Sequence, residues 1–268
     1  MVGEEFIILG EREIRSIEDW RIHAKPSPGD AEWSNGGAEF ETAHAWLRSG
    51  RPSLPEEIHA LLATREETCN FRPFYAIPGL LTRLDEFPGE DCAHQLVIVG
   101  EAGRRTLIGL EATVDDCFAV RTIASRLADA AAFDENFAEP LGRLVEAIFG
   151  SAALRDGNIV EPYASLSYEL VSALAGTLIE ARRRWAEQAL LVIHEFRPAS
   201  TESFGVAGMN TDPTAAQGEA FNSFVHALVG APSHVRPNEL LGPMNVPGSL
   251  SVPGQVLFFI GRASVDLF

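Results

Sequence analysis

Gln95-Leu96-Val97-Ile98-Val99, then Gly100-Glu101-Ala102-Gly103-Arg104, then Thr106-Leu107-Ile108-Gly109-Leu110-Glu111-Ala112-Thr113: this stretch decides how the chain folds. Two strand-like apolar runs flank a short segment with two glycines, which is the pattern of a β-hairpin. Downstream, residues 167–185 carry Leu170, Val171, Leu174, Leu178 and Ile179 at helical spacing. That helix feeds directly into 189–196, a nearly continuous apolar run of the kind found in a strand covered on both faces. A hairpin, a helix and a buried strand in this order predict an α/β fold, with a mixed central sheet flanked by helices.

Working outward, residues 6–9 form a short strand candidate, and Ser16 with Asp19 supplies a serine cap and an acidic third position for a helix. Residues 25–37 are rich in Pro, Gly, Ser and Asn and read as a loop. Helices are expected over 39–48 and 55–63, the second with Pro55 in its first turn, and over 121–132 and 141–149. After Pro198 the chain is loop-like to Pro213, then helical over 215–229. Pro237, Pro243, Pro247 and Pro253 argue against regular structure beyond short turns in 232–254. A final strand, 256–263, is expected at a sheet edge. We expect one domain over 1–268, with an N-terminal helical part at 16–65, a core at 80–200 and a C-terminal extension at 200–268.

A chain of 268 residues can bury one sizeable core. It has no apolar run of about eighteen residues, and Met1-Val2-Gly3-Glu4-Glu5 lacks the basic region of a secretory signal. The expectation is a cytoplasmic protein without membrane contact. Cys69, Cys92 and Cys117 show no metal-binding or redox spacing and read as core thiols. The chain has 21 basic and 38 acidic residues, for a formal charge of −17, and Lys25 is its single lysine. Such a balance disfavours nucleic acid as a partner, although a local basic groove can override it. The dense basic clusters are Arg104-Arg105 and Arg182-Arg183-Arg184. The second closes the long helix, where cations complement the helix dipole without any ligand.

Phosphate loops, dinucleotide glycine motifs, HExxH zinc motifs and serine-nucleophile elbows are all absent. The residue that stands out is Glu111, a carboxylate among aliphatic neighbours. Burying it requires a cation, a donor or a metal; the alternative is that it faces water at a frayed strand end. His94, with Cys92 close by, could form a metal corner, but the sequence does not reveal the remaining ligands. His194, late in the buried run, reads as a structural histidine.

Several landmarks together resemble a family of uncharacterised bacterial proteins assigned to the PD-(D/E)xK nuclease-like superfamily. They are Trp33-Ser34-Asn35-Gly36 with Ala43-His44-Ala45-Trp46, Pro55-Glu56-Glu57-Ile58, Glu111-Ala112-Thr113-Val114-Asp115-Asp116-Cys117-Phe118, Tyr168-Glu169-Leu170-Val171, and Leu191-Val192-Ile193-His194-Glu195-Phe196. The resemblance implies a restriction-endonuclease-like core in which an acid on one strand and Glu-x-Lys on the next hold magnesium or manganese and activate water. It also marks departures. Gln95 stands where the family has the first aspartate, Thr113 where it has the lysine, Glu169 where it has a glutamine, and Ser172-Ala173 where it has His-Arg. An amide is a poor substitute for a carboxylate on magnesium, and threonine cannot replace the lysine's charge, leaving Arg121 or Arg126 as the nearest cations. A rearranged metal site would use Glu111, Glu169 and Asp91, and Asp115 and Asp116 could contribute. The reading is therefore a nuclease-like protein without hydrolytic activity and without a cofactor, kept for binding another macromolecule or for a structural role. The alternative is a divergent metal-dependent phosphodiesterase using Mg or Mn. Either requires Gln95 and Glu111 to face each other across an antiparallel pair. The partner and the oligomeric state are not written in the sequence.

Overall fold

A computed structural model describes residues 6–24, 33, 36–84, 91–114, 121–131, 138–198, 213–231 and 235–267. In chain order the elements are β1 (Ile7–Leu9), β2 (Glu13–Ile14), α1 (Ile17–His23), α2 (Ala38–Trp46), α3 (Glu56–Leu62), β3 (Arg72–Arg83), β4 (Asp91–Glu101), β5 (Arg105–Thr113), α4 (Ile123–Ala131) and α5 (Ala138–Phe149). Then come β6 (Leu154–Arg155), β7 (Asn158–Ile159), α6 (Tyr168–Arg183), β8 (Gln188–Pro198), α7 (Pro213–Val229), β9 (Glu239–Met244) and β10 (Leu257–Leu267).

Eight strands make one mixed sheet in the order β2-β1-β3-β4-β5-β8-β10-β9, so the expected mixed α/β architecture is present. The hairpin forms as its sequence suggests, with Leu96 opposite Leu110 and Val99 opposite Leu107. β8 returns parallel to β5, pairing Leu107 with Ala189 and Glu111 with Ile193, and β10 lies parallel on its other side. Residues 188–196 of β8 are all buried, because helices cover both faces of the sheet there. On one face Val97, Val99, Leu107, Leu191 and Ile193 pack with Leu170, Leu174, Phe221 and Phe224 of α6 and α7. On the other, Ile98, Ile108, Leu110, Leu190 and Val192 pack with Trp20, Trp46 and Leu61 of α1, α2 and α3. Each fully buried large aliphatic side chain contributes about 1.5–3 kcal/mol, and these two layers hold the sheet between them.

Local signals explain the ends of two helices. Ser16 Oγ accepts the Asp19 N–H at 3.1 Å, and the Asp19 carboxylate accepts the Arg15 N–H at 3.1 Å, which caps α1 as its sequence suggests. α6 ends in a Schellman turn: the Trp185 N–H bonds Arg182 O and the Ala186 N–H bonds Ala181 O. The left-handed position in that turn, where glycine is usual, is held by Trp185 at φ 56°, with 85% of its surface exposed.

Two C-terminal expectations are corrected. The proline-rich tract contains a strand, β9, which tolerates Pro243 because it is the outermost strand and needs hydrogen bonds on one side only. β10 is not an edge strand: β8 and β9 flank it.

The meander also changes sides. Val97 and Val99 face α6, but so do Cys92 and His94, whose side chains lie against Gly176 of that helix. Strict alternation cannot put all four on one side, so β4 switches faces between His94 and Val97. β3 does the same, with Tyr75 and Leu80 both packed on the α6 side. By register Gly79 lies opposite Gln95, and its φ of 58° is a backbone conformation that glycine adopts without strain.

Candidate functional site

Glu111 and Thr113 point to the α6 face of β5, since Leu107 on the same parity packs there and Ile108 and Leu110 face the opposite layer. The Glu111 side chain is only 15% exposed, and its Oε1 lies 2.5 Å from Nδ1 of His94, which is wholly buried. On the far side of the same ring, His94 Nε2 lies 3.9 Å from Cys92 Sγ. The imidazole fits because two glycines flank it. A Cβ on Gly109 would come within 3.2 Å of the ring and 2.2 Å of Thr177 Oγ1, and a Cβ on Gly176 would lie 3.0 Å from Nε2 and 2.9 Å from Cys92 Sγ. Burial works against a charge on His94, but the Cys92 sulfur and the Glu111 carboxylate outweigh it and raise the imidazole to about 10.

Sequence spacing places Gln95 across from Glu111, and that pair falls just past the end of the ladder. Pairing of β4 with β5 stops at Leu96–Leu110. The change of side just before it gives the place facing Glu111 to His94, while Gln95 sits at the crossover, half-buried. Glu169 is exposed on the first turn of α6, and the cluster of ligand-type atoms that forms among the described residues is Cys92, His94 and Glu111, without Glu169. Asp91 opens β4 opposite Arg83, but its side chain is not among those described, and Asp115, Asp116 and Cys117 lie outside the described residues. Arg126 stands 5.8 Å from the centre of the Tyr168 ring. Burial, with Cys92 nearby, pushes the Tyr168 hydroxyl up to about 12 although Arg126 and Arg121 pull it down.

A second polar group, missed from the sequence, lies one strand further along the same face. Thr113 pairs with Glu195, and Glu195 pairs with Ser264. Glu195 Oε1 receives Arg262 NH1 at 3.1 Å in a buried contact, and Oε2 receives Ser264 Oγ at 2.6 Å in a half-buried one. Arg262 also donates to Val235 O and lies 5.2 Å from the Phe221 ring centre. A small groove beside this group is lined by Thr113, Glu195, Arg197 and Gln217 among others. The signal for it was in the sequence: Glu195 and Arg262 are charged residues inside runs read as strands, and buried charges come in pairs.

His194 faces the other layer and donates from Nε2 to Glu57 at 3.1 Å. Burial lowers its pKa against the pull of Glu57, so the ring is held neutral in a structural role. The arginine cluster at the end of α6 serves the fold: Arg182 bonds Leu250 O at 2.7 Å, Arg183 bonds Glu180 at 2.8 Å, and Arg184 also bonds Glu180.

Among the described residues, the donors gathered at Glu111 form a softer set than magnesium or manganese usually takes. Those ions need several hard oxygen ligands, and here the carboxylate is joined by an imidazole and a thiol.

Fold and site together define a mixed α/β protein whose polar residues gather at the carboxyl ends of two adjacent parallel strands, the usual place for a site in such sheets. The chain belongs to the family described as Domain of unknown function (DUF6946), which it matches over residues 13–264. No curated protein and no solved structure matches it. Among the described residues, no helix is long and apolar enough to cross a membrane.

Proposed function

We propose that this chain is a PD-(D/E)xK nuclease-like protein that does not hydrolyse phosphodiesters and is retained for binding another macromolecule. The restriction-endonuclease-like part of the reading is supported by the run β3-β4-β5-β8: an antiparallel meander, a helical crossover through α6, and a buried strand parallel to the last strand of the meander. The observation that carries the loss of activity is the contact between Glu111 and His94 at 2.5 Å. The one carboxylate of the motif is held by an imidazole inside the protein, where a nuclease would present it to a metal ion. Thr113 supplies no cation beside it. Arg126, one of the two arginine candidates, lies over the Tyr168 ring.

The test pairs calorimetric titration of magnesium and manganese, into wild type and Glu111→Ala, with cleavage assays on DNA and RNA. Neither protein should bind the ions beyond non-specific background, and neither should cut. Chelator-sensitive cleavage that Glu111→Ala abolishes would refute the proposal.

A further inference from the structure

The residues that displaced the hard-oxygen site are themselves good ligands for a softer metal. Cys92 and His94 are two apart on one strand, so their side chains emerge on the same side. Their donor atoms face one another, Sγ and Nε2 being 3.9 Å apart. A tetrahedral zinc ion with Zn–S of about 2.3 Å and Zn–N of about 2.0–2.1 Å would hold such a pair at about 3.6 Å, so an ion fits after a closure of a few tenths of an ångström. The other ring nitrogen, Nδ1, is already held by Glu111 at 2.5 Å. This carboxylate–imidazole contact on the side away from the metal is the usual outer partner of a metal-bound histidine, fixing the tautomer and the ring orientation. Gly176 completes the picture. It is the helix residue directly above the two donors, and any side chain there would begin within 3.0 Å of both.

We infer that Cys92 and His94 bind a zinc-class divalent ion, with Glu111 positioning the imidazole from behind. Two protein donors are fewer than the three or four of a usual zinc site, so the remaining positions fall to water or to a donor from a bound molecule, which must reach a site where His94 is wholly buried and Cys92 nearly so. The inference goes beyond the function proposed above and does not depend on it, since it uses only the geometry of the thiol, imidazole and carboxylate.

The experiment uses the full chain freed of metal by chelator dialysis. Zinc is titrated calorimetrically, and cobalt(II) is followed by absorption, because thiolate ligation gives a near-ultraviolet charge-transfer band and tetrahedral geometry gives strong visible bands. One equivalent of either ion is expected in wild type. Cys92→Ser should lose the charge-transfer band and His94→Ala the tight binding. Glu111→Gln should keep the band while weakening affinity about 10–100-fold. Circular dichroism of each metal-free variant reports whether it folds, and the wild-type cobalt spectrum stands even if a variant does not. A wild type that takes up no zinc, or a folded Cys92→Ser that binds as tightly as wild type, would overturn the inference. Neither result would disturb the non-hydrolytic reading, which fails only on magnesium- or manganese-dependent cleavage.

Discussion

Removing the carboxylate of Glu195 strands a charge. The Arg262 side chain is 8% exposed and is held by Glu195 at 3.1 Å, by Val235 O at 3.3 Å and by the Phe221 ring. Its Nε has no partner even in the intact protein, so nothing is in reserve to take the load. Ser264 would lose its acceptor as well. Breaking a buried pair by removing one partner costs about 3–5 kcal/mol. For a chain of this size about 1 kcal/mol moves Tm by roughly 2 °C, so Glu195→Ala should melt about 6–10 °C below wild type. Urea unfolding followed by far-ultraviolet circular dichroism measures the loss directly, and an unchanged m value would locate it in the native state. The double variant Glu195→Ala with Arg262→Met should recover much of the difference, because it leaves no charge to strand. A loss under about 1 kcal/mol for Glu195→Ala, or strict additivity in the double variant, would refute the claim that this pair is a coupled buried unit.

Trp185→Gly should stabilise the protein by about 1 kcal/mol, seen as a rise in Tm, since it places the residue preferred at a left-handed helix end and removes little packing from an exposed indole. The His194 pKa is lowered on folding, so its contribution to stability is complete above the unfolded value near 6.5 and is lost as pH falls through that value toward the lower folded one. Melts at pH 7.5 and 5.5 should therefore show a larger drop for wild type than for His194→Asn; Glu57, also lowered, adds its own loss only below about 4.5.

The elements legible in the sequence are those whose surroundings are uniform. β8 is buried on both faces and so reads as an unbroken apolar run, while α6, buried all round over residues 173–181, still shows its period because its large aliphatic residues recur at helical spacing. β3 was not among the expected strands, and Pro73, Pro78 and Gly79 interrupt its pattern. Its pairing with β1 covers only Tyr75 and Ala76, so the rest of its outer side needs no ladder hydrogen bonds and tolerates prolines. Pro243 hid β9 in the same way. In the site, Glu111 stood out by its charge, and Cys92 with His94 stood out as a pair. What joined them was a contact between residues 94 and 111, set by where two strands stop pairing, and no local pattern records that. Glu195 and Arg262 were readable as charges in apolar strands, but their partnership spans 67 positions and belongs to the parallel register of β8 and β10.

The crossover of β4 at Gln95 bears on how positions in such proteins are matched. Counting along the chain assigns the seat opposite Glu111 to Gln95, whereas the backbone gives it to His94. One residue gained or lost near such a crossover would turn a different side chain toward the Glu111 carboxylate without any of the facing residues being mutated. A lineage could in this way exchange one chemistry for another by slippage, and an alignment would record only a gap beside the site with every ligand residue retained.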